Sequence, residues 1–144
     1  MIVQFTVRPG QGESSGFDLG DMLWTGELGE ARSAGRSPDQ GMMIHVSVAQ
    51  LLDCLREFLT GRTKTVSFTG ADTSFQLTFV KAKKGISVTG PSGPVSVLAP
   101  GELAETVLSA AEELAREHLD TLPSDGVADD YLAALGAFRL IALP

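Results

Sequence analysis

Thr65-Val66-Ser67-Phe68-Thr69, Ser74-Phe75-Gln76-Leu77-Thr78-Phe79, Ile86-Ser87-Val88-Thr89 and Val95-Ser96-Val97 decide the fold of this chain. In each run apolar and hydroxyl-bearing residues alternate with a period of two. Turn-forming residues separate the runs: Gly70-Ala71-Asp72-Thr73, then residues 81–85, then Gly90-Pro91-Ser92-Gly93-Pro94. The pattern predicts an antiparallel meander with two unlike faces. Phe68, Phe75, Leu77, Phe79, Ile86 and Val88 belong to the apolar face. The other face carries Thr65, Ser67, Thr69, Gln76, Thr78, Ser87, Thr89 and Ser96.

Working outward, residues 1–8 alternate in the same way and predict a strand, with Val3, Phe5 and Val7 on one side. Residues 9–16 are rich in Gly and Ser and predict a loop. Met22–Leu28 predicts a strand, because Gly20, Gly26 and Gly29 are poor helix interiors. Residues 29–41 predict a turn or loop. Met42–Val46 predicts another strand, and Ser47 with Gln50 reads as a capping box opening a helix that Gly61 stops. Leu51, Leu52, Leu55, Phe58 and Leu59 form its apolar stripe. Glu102–Leu119 and Val127–Phe138 predict two further helices. The sum is one α+β domain over residues 1–144: an antiparallel sheet of about six strands, with two or three helices packed on one face.

At 144 residues and 43% hydrophobic content the chain can bury a core of its own. Its net charge of −7 argues against binding the phosphate backbone of a nucleic acid, which needs clustered Lys and Arg. Acidic residues concentrate between Gly101 and Asp130, where Arg116 is the sole base. One reading is a solvated helix face. The other is a docking surface for a basic protein, with Glu112, Glu113, Glu117 and Asp120 as charge contacts. The single cysteine, Cys54, offers no internal disulfide, and no run is long and apolar enough for a membrane span. The N-terminal residues lack the basic and apolar regions of a signal peptide, so the expected location is a bacterial cytoplasm.

Candidate chemistry is sparse. Gly12-Glu13-Ser14-Ser15-Gly16 spells G-x-S-x-G, but Phe17-Asp18-Leu19-Gly20-Asp21 is no helix opening, so a nucleophile elbow is not expected. Gly10 and Gly12 lack the rest of a phosphate-binding signature. His45 and His118 are too few for most metal sites. Cys54 reads as a small hydrophobe at the border of its stripe. Asp129-Asp130 suit the first turn of a helix, and Asp18 and Asp21 suit a loop. No catalytic, cofactor or metal-binding residue is assigned. Trp24, the one tryptophan, reads as core or as an interface anchor.

The order of elements from Val46-Ser47-Val48-Ala49-Gln50-Leu51 through Ser74-Phe75-Gln76-Leu77-Thr78-Phe79 to Lys83-Lys84-Gly85-Ile86-Ser87-Val88 resembles small bacterial immunity proteins. It is similar in particular to the family that guards against wall-associated tRNA-nuclease toxins, and the look is shared by uncharacterised actinobacterial α+β proteins. The resemblance covers roughly residues 20–120 and carries over no site residue. It implies a non-catalytic protein that neutralises a basic toxin domain; the candidate contacts Glu112, Glu113, Glu117, Asp120 and Trp24 come from the acidic surface and the lone tryptophan, not from the resemblance. Two other functions stand beside it. One is a small-molecule-binding or enzymatic domain, with a pocket between the sheet and residues 17–41 lined by His45, Trp24 or Asp21. The other is an accessory subunit that docks a partner, or a second copy of itself, through its exposed sheet face or edge.

Overall fold

The computed structural model describes residues 1–142. Eight strands and three helices follow one another: β1 (Ile2–Val7), β2 (Leu19–Thr25), β3 (Glu30–Arg32), β4 (Met42–Met43), α1 (Ile44–Thr60), β5 (Thr65–Thr69), β6 (Gln76–Ala82), β7 (Gly85–Gly90), β8 (Gly93–Leu98), α2 (Pro100–His118) and α3 (Val127–Ala142). The class is α+β with antiparallel pairing throughout, and the strands divide between two four-stranded sheets. In the first sheet β2 is central, with β1 on one side and β3 and β4 on the other. The second is the meander β5-β6-β7-β8.

The alternation of the meander sets its faces. Phe68 pairs with Leu77 and Phe79 with Val88, and all four are buried. Thr65, Ser67, Thr69 and Gln76 face solvent, while Thr78, Ser87 and Thr89 are half-buried. Ser96 departs from the expected hydroxyl face and is buried. The cause is a bulge. Val88 pairs with Ser96 but Thr89 pairs with Pro94, which leaves Val95 as the extra residue and turns both Val95 and Ser96 inward.

The bulge joins the sheets. Leu28 N–H, in the β2–β3 turn, donates to the Val95 carbonyl at 3.0 Å, and Ser96 Oγ donates to Glu27 Oε2 at 3.0 Å. Gly26 allows the approach, since a Cβ there would stand 2.3 Å from the Val95 oxygen. Trp24 completes the junction from inside. It is fully buried, with edge-on contacts to Phe5 of the first sheet (6.4 Å between centroids) and Phe79 of the second (5.8 Å).

Helix α1 buries Ile44, Val48, Leu51, Leu52, Leu55 and Phe58, and α2 buries Leu103, Val107, Leu108, Ala111 and Leu114. Helix α3 packs on both, and Tyr131 Oη donates to the Ala111 carbonyl at 2.6 Å.

Three local expectations are corrected. Only Met42–Met43 of the expected strand is extended, and the helix begins at Ile44. Ile44 lies four residues before Val48, so the apolar stripe of the helix runs back through it. Ser47 is therefore inside the helix and caps nothing; its Oγ accepts the Ala71 N–H at 2.8 Å. The segment 29–41 is also not all loop, because Glu30–Arg32 pairs with β2 and buries Ala31 against Gly90.

Candidate partner-binding groove

Strand β1 pairs with β2 alone among the described residues, so its other edge is free. The phase of the ladder follows from Arg8 N–H donating to the Leu19 carbonyl at 3.0 Å. Hydrogen-bonded positions alternate in an antiparallel pair, so Gln4 and Thr6 turn their backbone groups toward β2. Val3, Phe5 and Val7 turn theirs toward the free edge. Helix α2 lies alongside. The Met1 amine is 4.0 Å from the Glu102 carboxylate at the start of α2, and Val7 and His118 line one cavity at the far end. Strand and helix therefore run in the same direction.

Between them is a groove of about 620 Å³. Residues 1–6 form one wall, and Thr106, Ser109, Ala110, Glu113 and Glu117 the other. The small side chains on this face of α2 keep the groove open. The nearly buried Val3, Phe5 and Ala110 give it an apolar floor. Arg116, hydrogen-bonded to Glu113, holds that carboxyl below its ordinary range, with a contribution from Glu117.

The structure sorts the candidate contacts. Glu113 and Glu117 share the groove. Glu112 turns toward α3 and pairs with Arg139 at 3.4 Å. Asp120 lies beyond the helix in a single 3-10 turn, exposed. Trp24 is corrected from a candidate contact to a core residue, since none of its surface reaches solvent. The other groove residues, Gln4, Thr6, Thr106 and Ser109, were not singled out by the sequence, where nothing marks β1 as an edge.

Of the three residues offered as alternatives for a pocket lining, Asp21 and His45 line separate cavities and Trp24 does not share either. Trp24 is in the core. Asp21 lines a cavity of about 250 Å³ on the first sheet, with Gln4, Thr6 and Arg32. It is bonded to Arg8, whose guanidinium also holds Asp39. Burial opposes ionisation of Asp21, but hydrogen bonds from Arg8 and Ser33 outweigh it and keep the carboxyl below its ordinary range.

His45 stands in the first turn of α1, 1% exposed, and neither ring nitrogen has a hydrogen-bond partner. It separates two cavities. One, of about 470 Å³, lies between α1 and α3 beside Gln50, Asp53, Arg56 and Asp130. The other, of about 320 Å³, lies under the 9–14 loop beside Asp18 and His118. Burial lowers the His45 pKa and nearby His118 lowers it further, so the ring is neutral at pH 7. Cys54 is half-buried, and burial with the Glu57 charge pushes its thiol up, away from a reactive thiolate. The Gly12–Gly16 loop leads into β2, so it forms no nucleophile elbow. Among the described residues no group of three or more His, Cys, Asp or Glu is placed to hold a metal ion, and no helix is long and apolar enough to cross a membrane.

Compared with protein-family models, with curated proteins and with solved structures, the chain gives no match.

Proposed function

We propose that this chain is a non-catalytic protein-binding domain that engages a basic partner at the groove between α2 and β1. The observation that carries the reading is the placement of Glu113 and Glu117 on one rim of a cleft whose opposite wall is β1, a strand with one unpaired edge. Acidic side chains here would steer a basic surface into contact and select against acidic ones, and the net charge of −7 acts in the same sense at longer range. The finer form of the proposal is a toxin-neutralising protein whose target is a basic toxin domain. The test is to mix the protein with any toxin encoded beside its gene; the absence of such a gene would weaken the finer form of the proposal. A complex at micromolar concentration, weakened at least about tenfold by Glu113→Lys with Glu117→Lys, is expected. No complex at that concentration, or a complex indifferent to both substitutions, overturns it.

A second reading is favoured by the unsatisfied nitrogens of His45: a small polar molecule bound in one of the two cavities beside it. A ligand screen followed by the His45 ring signals in NMR separates the two readings. Shifts at His45 without shifts along β1 would favour the small molecule.

A further inference from the structure

We infer that the free edge of β1 takes up an extended segment of the partner as an added strand, with Glu113 and Glu117 holding basic side chains two residues apart on that segment. This rests on the reading of the groove as the binding site. It adds the binding mode and a sequence requirement on the partner.

The backbone makes the first half of the argument. Val3, Phe5 and Val7 present N–H and C=O groups that β2 does not use. Proteins usually blunt such an edge with lysine, proline, a bulge or a covering loop. Ile2–Val7 contains neither lysine nor proline and pairs without a bulge. The edge of β8, by contrast, is covered by the β2–β3 turn, where Leu28 N–H bonds Val95. The β5 edge is preceded by Arg62 and Lys64. The β1 edge is thus open, and it faces a helix across a groove, an arrangement suited to strand addition.

The spacing of charges makes the second half. Glu113 and Glu117 are four residues apart on a helix, hence about 6 Å along its axis. Alternate residues of a strand are spaced by roughly 6.6 Å and point to the same face. A strand lying beside β1 and parallel or antiparallel to α2 therefore brings the side chains of residues j and j+2 opposite the two carboxylates. Lysine or arginine at both positions fits. The small residues Thr106, Ser109 and Ala110 leave room for their stems. A second copy of this chain fits worse: it carries −7 and would bring another Glu113 and Glu117 to the same edge.

The probe is the capped hexapeptide Lys-Val-Lys-Val-Lys-Val, with two derivatives, one N-methylated at the lysine amides and one at the valine amides. Lysine and valine amides of an extended peptide point to opposite edges, so methylation blocks only one edge in each derivative. Isotope-labelled full-length protein is titrated with each. The expected result is binding by the parent peptide, shifts and slowed exchange at the Val3, Phe5 and Val7 amides, a loss of about tenfold or more for one derivative, and near-parent binding for the other. Equal binding by all three peptides overturns strand addition and leaves the electrostatic reading standing. Binding that ignores Glu113→Lys with Glu117→Lys overturns the groove reading itself. No binding at millimolar peptide overturns the inference. So do β1 amide shifts that grow with protein concentration without peptide, which would assign the edge to a second copy.

Discussion

The guanidinium of Arg8 grips the carboxylate of Asp39 with two hydrogen bonds of 2.8 Å, across 31 residues of chain. The same guanidinium holds Asp21 at 2.9 and 3.0 Å, so one side chain at the end of β1 ties β2 and the loop before β4 together. Gly41 lies flat against it; a Cβ there would stand 2.5 Å from Cζ. Ser33, buried beneath, donates to Asp21 at 2.7 Å and accepts the Met22 N–H at 3.0 Å. Arg8→Leu would leave Asp21 half-enclosed without a countercharge and is expected to cost about 1–3 kcal/mol, reduced by the partial exposure of the site. Asp39→Asn, at the exposed end, should change the melting temperature much less but speed proteolytic cleavage within residues 33–41. Urea unfolding and limited proteolysis of the two variants check the order.

This cluster and His45 make stability depend on pH in two windows. Asp21 and Asp39 are held below their ordinary range, Asp39 chiefly by its hydrogen bonds from Arg8. Their contribution is present above the unfolded carboxylate pKa of about 3.9 and is lost as pH falls below it. His45 acts earlier. Its folded pKa is lowered, so below the unfolded value of about 6.5 the unfolded chain takes up a proton that the folded one does not. Stability should fall from about pH 6.5 downward, and His45→Phe should flatten that first decline while leaving the second. The groups facing His45 are His118, Tyr131 and Asp18, and His118→Gln is the control for the imidazole pair. Denaturant midpoints between pH 7.5 and 3 in wild type, His45→Phe and Arg8→Leu separate the windows. A single decline in all three would contradict the assignment.

Ser47 and Gln50 distinguish a local motif from its tertiary use. In a capping box both would matter, each through an end-of-helix amide. Here Ser47 Oγ accepts from Ala71 in the β5–β6 turn. Ser47→Ala should therefore leave that N–H short of a partner and cost about 1–3 kcal/mol, while Gln50→Ala should stay within about 0.5 kcal/mol of wild type. Thermal unfolding of the two single variants is the measurement.

The same contrast shows what was legible in the chain. Period-two runs at 1–8 and 65–97 and the helical stripes are local patterns, and they place β1, β5–β8 and all three helices within a few residues. Division into two sheets was not local. It depends on Trp24 sitting between Phe5 and Phe79, and on the bulge at Val95, which no repeat announces. β3 and β4 are three and two residues long, too short to show a period. At the candidate site, acid enrichment named Glu113 and Glu117, but whether they faced solvent, α3 or an open edge depended on where β1 lay. Glu112, one residue away, faces α3. His45 read as a mid-strand residue because its neighbours alternate; its burial beside two cavities arises from α1 meeting α3 and the 9–14 loop.

The junction of the sheets gives the last prediction. Gly26 and Gly136 are both glycines with negative or extended φ, yet their surroundings are opposite. A Cβ at Gly26 would meet the Val95 oxygen at 2.3 Å and Ser96 Cβ at 2.7 Å. The first of these is backbone, so Gly26→Ala must push the β2–β3 turn off the bulge, at a cost of roughly 1–3 kcal/mol. Around Gly136, in the middle of α3, nothing lies within 4 Å of the added carbon. Gly136→Ala should stabilise by about 0.5–1 kcal/mol, since alanine holds a helix better than glycine. Trp24 reports on both, because it is the sole tryptophan and is wholly buried at the junction. Its emission should be blue-shifted in wild type and Gly136→Ala, and moved toward the red in folded Gly26→Ala as the sheets loosen. Unchanged emission and an unchanged midpoint in Gly26→Ala would mean that the turn and bulge do not hold the sheets together.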